Sequence, residues 1–157
     1  MPDPQGRRRP SQGETPPHLR PAYLGLVFLG GMGGTLARFG LSELLPTPSG
    51  LPFGIFLINL AGAFALGLLL EALARRGPDA GRRRGVRLLL GTGFLGGFTT
   101  YSALAVDSAL LVGGGRVVAG LGYLALSVVV GLGATALGIV AGHLVHRRLR
   151  GRRGGRP

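Results

Sequence analysis

The sequence has no cysteine, no tryptophan and no lysine, and only six acidic residues among 157. Without cysteine there is no disulfide framework, no thiolate nucleophile and no sulfur-ligated metal centre. Without lysine no Walker-type phosphate loop is possible, and Gly30-Gly31-Met32-Gly33-Gly34 also lacks the preceding strand and the following acid that a dinucleotide fingerprint needs. No Ser/His/Asp set or paired carboxylate falls within the apolar regions, so the chain does not read as an enzyme. His143 and His146, three apart beside Arg147 and Arg148, read as helix-end contacts and not as a metal pair.

Glycine, proline and arginine are abundant. Gly and Pro together supply 42 of the residues, a share usually associated with disorder, yet 46% of the chain is hydrophobic and disorder fails on that ground. The length allows one domain at most. All 18 strong bases are arginine and the net charge is +12, which points to nucleic acid or an anionic membrane until the placement of the arginines is known.

Outside the ends, charges are sparse and four apolar stretches emerge: Ala22–Leu45, Phe53–Leu73, Val86–Val112 and Val117–Val145. A hydrocarbon core about 30 Å thick needs about 20 helical residues, so each is long enough to cross it. The expected fold is an all-α integral membrane protein with four transmembrane helices, residues 22–145. Residues 1–20 and 147–157 are basic, with too little apolar surface to offset ordering, and read as flexible tails. The first stretch is too long for a signal-peptide core and carries Arg38 and Glu43, so a cleaved leader is not expected. Pro46-Thr47-Pro48-Ser49-Gly50 reads as a turn, Arg75 to Gly85 as a polar link, and Gly113-Gly114-Gly115-Arg116 as a tight antiparallel connection.

Glycine has a use in such a bundle, because helices in lipid associate by close contact of small residues. Gly30 and Gly34, Ala63 and Gly67, and Ala134, Gly138 and Gly142 all recur at four-residue steps and predict helix-packing seams.

Polar groups at membrane depth each need a partner or a purpose, since insertion of a charged one costs about 2.5–3.5 kcal/mol. Arg38 either snorkels to the interface or stands at a pore mouth. Asn59 sits among Phe56, Leu57, Ile58, Leu60 and Ala61, where its amide must find partners or face water. Tyr123, Ser127 and Thr135 share one face of the fourth helix. The most specific signal is Gly91-Thr92-Gly93-Phe94-Leu95-Gly96-Gly97-Phe98-Thr99-Thr100-Tyr101-Ser102, in the middle of the third stretch. Two glycines followed by two β-branched threonines weaken the helix there, so a break is expected, with freed carbonyls able to coordinate a cation.

Four of these segments, in order, resemble the Fluc/CrcB fluoride channels: Gly30 to Arg38, Asn59-Leu60-Ala61-Gly62, Gly91 to Ser102, and Tyr123 with Ser127. The resemblance covers nearly the whole membrane portion. It implies an antiparallel dimer of four-helix subunits, two fluoride pores and a structural sodium ion at the dimer centre. Carried over by position, the carbonyls of Gly96 and Thr99 are the implied sodium ligands, Asn59, Thr100, Tyr101, Ser102, Tyr123 and Ser127 line the implied fluoride path, and Arg38 stands at its vestibule. Neutral donors suit a small, tightly hydrated anion, because they replace water without trapping the ion. The pattern also departs from the family's. Two phenylalanines follow the paired threonines there, presenting positive ring edges, where this chain has Tyr101 and Leu104; Ala103 replaces a threonine and Asp107 a glutamate.

Sixteen arginines fall in the N-tail, the central link and the C-tail, and only Arg38 and Arg116 on the opposite side. The positive-inside rule then predicts a multi-pass cell-membrane protein with both termini cytoplasmic, and turns the +12 into an orientation signal with no nucleic-acid partner. A chain that pairs with its own inverted copy needs a balanced distribution, so the expected antiparallel partner is a non-identical subunit of opposite orientation, with a homodimer as the alternative. The other readings are a small multidrug-type antiparallel transporter, for which Glu43 lies too near the turn, and a non-conducting partner subunit, suggested by Leu104.

Overall fold

The structure, a computed structural model, describes residues 20–45 and 51–154; the expected turn at 46–50, nearly all of the N-terminal tail and residues 155–157 lie outside them. Within the described residues all regular structure is helical: α1 Pro21–Leu44, α2 Phe53–Ala74, α3 Gly81–Val86, a π-helix Arg87–Leu95, α4 Gly96–Phe98, α5 Tyr101–Gly113 and α6 Val117–Gly154. Four spans are long and apolar enough to cross a membrane: Pro21–Leu44, Phe53–Ala74, Gly81–Gly113 and Val117–Arg147.

The chain punctuates these helices by its own chemistry. Pro21 opens α1, where its missing N–H would have been unpaired in any case. Gly115, at φ +77°, makes the reversal between α5 and α6 and lets the Arg116 N–H close on the Leu111 carbonyl at 2.9 Å. Two boundaries differ from the sequence expectation by more than one residue. The third span starts at Gly81 and not at Val86, because Arg82, Arg83 and Arg84 continue a helix as readily as they fill a loop. Similarly, α6 runs past Val145 to Gly154, so backbone expected as tail is helical over 147–154; arginine is a good helix former and nothing there ends the hydrogen-bond ladder.

Packing follows the glycine seams. The first half of the third span, through the π-helix and α4, lies on α1; after the break, α5 lies on α6; and α2 pairs with α6. The break therefore hands the third span from one neighbour to another. Gly30 and Gly34 are buried in α1, and a Cβ on Gly30 would sit 2.8 Å from the Phe94 nitrogen. Across the α2–α6 seam, a Cβ on Gly138 would sit 2.9 Å from the Leu68 nitrogen. Close backbone contact replaces side-chain interdigitation at these crossings.

Few side chains are fully enclosed: Ile58, Leu95, Leu104, Leu111 and Ala134 form the apolar core, while Phe28, Leu36 and Leu132 stand about two-thirds exposed. An apolar exterior is what lipid or a second subunit covers. Gly138→Ala is expected to push α2 and α6 apart and to cost on the order of 1–3 kcal/mol as overpacking. Gly122→Ala meets nothing within 4 Å and is expected to stay within about 0.5 kcal/mol of the parent. Thermal unfolding midpoints of the two purified variants in detergent check the contrast.

A neutral polar groove at the broken third span

Thr99 (φ −81°, ψ 156°) and Thr100 (φ −148°, ψ 122°) are extended, and they end α4 and start α5. The break is where the sequence predicts it, but the two glycines before it do not cause it. Gly96 is regular helix (φ −64°, ψ −37°), and Gly97 is small because α1 lies against it: a Cβ there would be 3.0 Å from Thr35 Oγ1. The threonines break the helix because their hydroxyls offer the backbone other partners. Thr99 Oγ1 donates to the Leu95 carbonyl at 2.9 Å, and Thr100 Oγ1 accepts the Ala103 N–H at 3.2 Å as the N-cap of α5.

Backbone groups released inside lipid must be satisfied within the protein. Asn59, from the middle of α2, satisfies two of them at once: its Oδ1 accepts the Thr100 N–H at 2.7 Å and its Nδ2 donates to the Thr100 carbonyl at 2.9 Å. In an unbroken helix the Thr100 N–H would close on the Gly96 carbonyl, and the Ala103 N–H on that of Thr99. Both donors are diverted, one to Asn59 and one to Thr100 Oγ1. The carbonyl between them is held from the other side, where Arg38 Nε donates to the Gly97 oxygen at 3.3 Å and Thr35 Oγ1 lies 3.5 Å away. Arg38 does not snorkel. It turns inward from α1 to cap the break, which its depth in the sequence could not reveal.

The stretch leading into the break is a nine-residue π-helix, Arg87–Leu95. Such widened turns are costly and concentrate at functional sites. Here the widening accompanies close approach to α1, since a Cβ on Gly93 would be 2.8 Å from the Val27 carbonyl and 3.0 Å from the Gly30 Cα.

On the α2 side the break opens into a groove of about 570 Å³ whose polar lining is Asn59, Thr92, Thr99, Ser127 and Thr135, with Gly96, Leu66 and Leu132 among its apolar walls. Among the described residues no charged side chain lines it. Ser127 and Thr135 hold their protons on carbonyls one turn back, those of Tyr123 at 2.7 Å and Gly131 at 3.1 Å. Asn59 uses one of its two amide N–H donors on Thr100, which leaves the second for the groove.

The structure thus brings Asn59, Gly96, Thr99 and Ser127 together, with Thr100 behind Asn59. Other expected site residues stand apart from the groove. Ser102 Oγ is 3.1 Å from Thr100 Oγ1 on the exposed side of α5, and the Tyr101 ring is 73% exposed. Tyr123 donates to the Pro52 carbonyl at 3.1 Å and ties α6 to the start of α2. Leu104 is buried at 5% exposure, and Asp107 lines a separate cavity of about 420 Å³ with Pro52 and Arg116. Sequence reading assigned no role to Thr35 or Thr92. Thr35 was findable, since it precedes Arg38 by three residues and so shares its face of α1; nothing marked Thr92 beyond its place in the break motif. Among the described residues no three His, Asp or Glu side chains gather as a metal site. His143 instead contacts the Arg75 side chain and lies 3.8 Å from Glu71.

Comparison with known proteins places the sequence. The family described as CrcB-like protein, Camphor Resistance (CrcB), matches residues 25–139. The chain is 53% identical over 110 residues to a protein of Cutibacterium acnes called fluoride-specific ion channel FluC 1, covering 69% of this chain and 77% of that one. It is 53% identical over 113 residues to FluC 2 of Leifsonia xyli, covering 72% and 78%, and 46% identical over 105 residues to FluC of Paracoccus denitrificans, covering 66% and 80%. With the family matched over residues 25–139 and identities of this extent over two thirds or more of its length, the chain belongs to the CrcB family.

Proposed function

We propose that the chain is one subunit of a fluoride channel of the cell membrane that lets fluoride leave the cytoplasm passively. The observation that carries this reading is the uncharged polar groove at the break, with the spare amide donor of Asn59 in it. A small anion gives up its water only where hydrogen-bond donors replace it, and a fixed positive charge at the same depth would hold it too long to conduct. Hydroxyls that now donate to carbonyls one turn back, such as that of Ser127, can rotate toward a passing ion and back. Related chains named for fluoride favour this ion over a multidrug cargo.

A structural sodium ion fits the break. The carbonyls of Gly96 and Thr99 have lost their helical donors, and an inverted second subunit would add the matching pair. Four carbonyl oxygens suit a hard monovalent cation, which would stabilise the paired subunits by satisfying those oxygens. Thr100, Tyr101, Ser102 and Tyr123 would border the fluoride path once the exposed face of α5 is covered, with Arg38 near its vestibule. The second reading, a non-conducting partner subunit, is favoured by Leu104, which is buried and has no ring edge to offer an anion.

The test is efflux from liposomes that carry the chain with and without an oppositely oriented family member. Fluoride efflux without chloride efflux is expected when both are present. Absence of fluoride efflux in both preparations would overturn the channel reading, and efflux that depends only on the partner's own pore residues would leave this chain the non-conducting subunit.

A further inference from the structure

At the end of the bundle opposite the α5–α6 turn, the last turns of α2 and the start of the third span enclose a cleft of about 340 Å³ that the proposed ion path does not use. One wall is apolar, Leu70, Leu73 and Ala74; the other carries Asp79, Arg83 and Arg87. Leu70 is 42% exposed, so the apolar wall continues into the surface that faces lipid. The polar wall is over-supplied with positive charge. Asp79 takes Arg87 at 2.7 Å and also faces Arg84 at 3.7 Å, while Arg84 spends two N–H donors on the Asp79 backbone carbonyl. Arg83 donates to the Arg76 carbonyl and meets no carboxylate among the described residues. One acid therefore stands beside three guanidinium groups and pairs with two of them, Arg84 and Arg87.

We infer that this cleft is a binding site for a phospholipid with an anionic headgroup, its phosphodiester on Arg83 and Arg87 and the start of an acyl chain along Leu70 and Leu73. Arginine forks match phosphate oxygens in pairs, and basic pockets between spans at a membrane surface select net-negative headgroups. A free phosphate would use only the charged wall. A zwitterionic lipid brings its own cation to a site already in excess of positive charge. The inference depends on the chain's spanning the membrane and not on which ion it conducts.

Native mass spectrometry of the full-length protein, solubilised with phosphatidylglycerol and phosphatidylcholine in equal amounts, tests it. About one phosphatidylglycerol retained per chain is expected, with phosphatidylcholine largely lost, and R83Q/R87Q is expected to lower that retention on the order of tenfold. R147Q/R148Q, which removes equal charge at the far end of α6, is expected to change it less than about twofold. Asp79→Asn removes the competing carboxylate and is expected to lower severalfold the phosphatidylglycerol concentration that half-fills the site; it carries the test alone if the double variant does not fold. Unchanged retention in R83Q/R87Q with an unchanged half-filling concentration in Asp79→Asn would overturn the site. So would an equal loss in R147Q/R148Q, which would mean diffuse charge, or displacement of the lipid by inorganic phosphate alone, which would mean a free-anion site.

Discussion

Asn59→Ala is expected to remove the fluoride flux that this chain supports beside an oppositely oriented partner and, in the same step, to destabilise the protein by several kcal/mol. Both hydrogen bonds between Asn59 and the Thr100 backbone disappear, and neither Thr100 group can turn to water at membrane depth. Each orphaned group costs about 1–3 kcal/mol. Alanine alone cannot separate a structural role from an ion-binding role, but Asn59→Asp can. In its neutral form aspartic acid still accepts from the Thr100 N–H and donates to the Thr100 carbonyl, so most of the stability should survive. What it loses is the second N–H. The expected result is a folded protein with a near-parent unfolding midpoint and flux lowered at least about 100-fold, the scale of a lost preorganised donor. Parent-like flux in Asn59→Asp would take the side chain out of the ion path and leave it a clamp for the break.

This clamp marks the boundary between what sequence could and could not supply. The spans were legible because apolar run length is a direct physical requirement: Ala22–Leu45 was expected and Pro21–Leu44 is found, Phe53–Leu73 was expected and Phe53–Ala74 is found. Arginine confused the third and fourth boundaries, being equally at home in a charged loop and in a helix. That Asn59 needs partners followed from its apolar neighbours; that the partners are the two backbone groups of Thr100, 41 residues away, depends on how α2 crosses the break. Sequence also gave the depth of Arg38 without its direction, and only the packing of α1 on α4 aims it at Gly97. The π-helix left no local trace; it accompanies the approach of Gly93 to Gly30, a contact that no window of sequence contains.

The second large effect concerns orientation. Sixteen of the 18 arginines lie toward the ends of the chain or between the end of α2 and the first turns of the third span, Arg75 to Arg87. Arg38, one of the two exceptions, is engaged with the Gly97 carbonyl inside the bundle and so contributes little as a loop charge. Arg116 then stands nearly alone against the rest, and retention of arginine on the cytoplasmic side should insert almost every copy the same way. A C-terminal tag on cells expressing the chain is therefore expected to be inaccessible from outside in at least about nine copies of ten. An antiparallel pair requires its two members to enter oppositely, so a uniformly oriented chain cannot complete the pair with itself. Fluoride efflux from cells expressing this chain alone is expected at background, and co-expression of a family member with the opposite arginine bias should raise it by orders of magnitude. Shifting the bias should do the same without a partner. Replacing Arg82, Arg83 and Arg84 by glutamine, with arginines added beside Gly114, is expected to yield mixed insertion and restore flux from one gene. Efflux from the unmodified chain alone, with the tag equally accessible on both faces, would establish a homodimer instead.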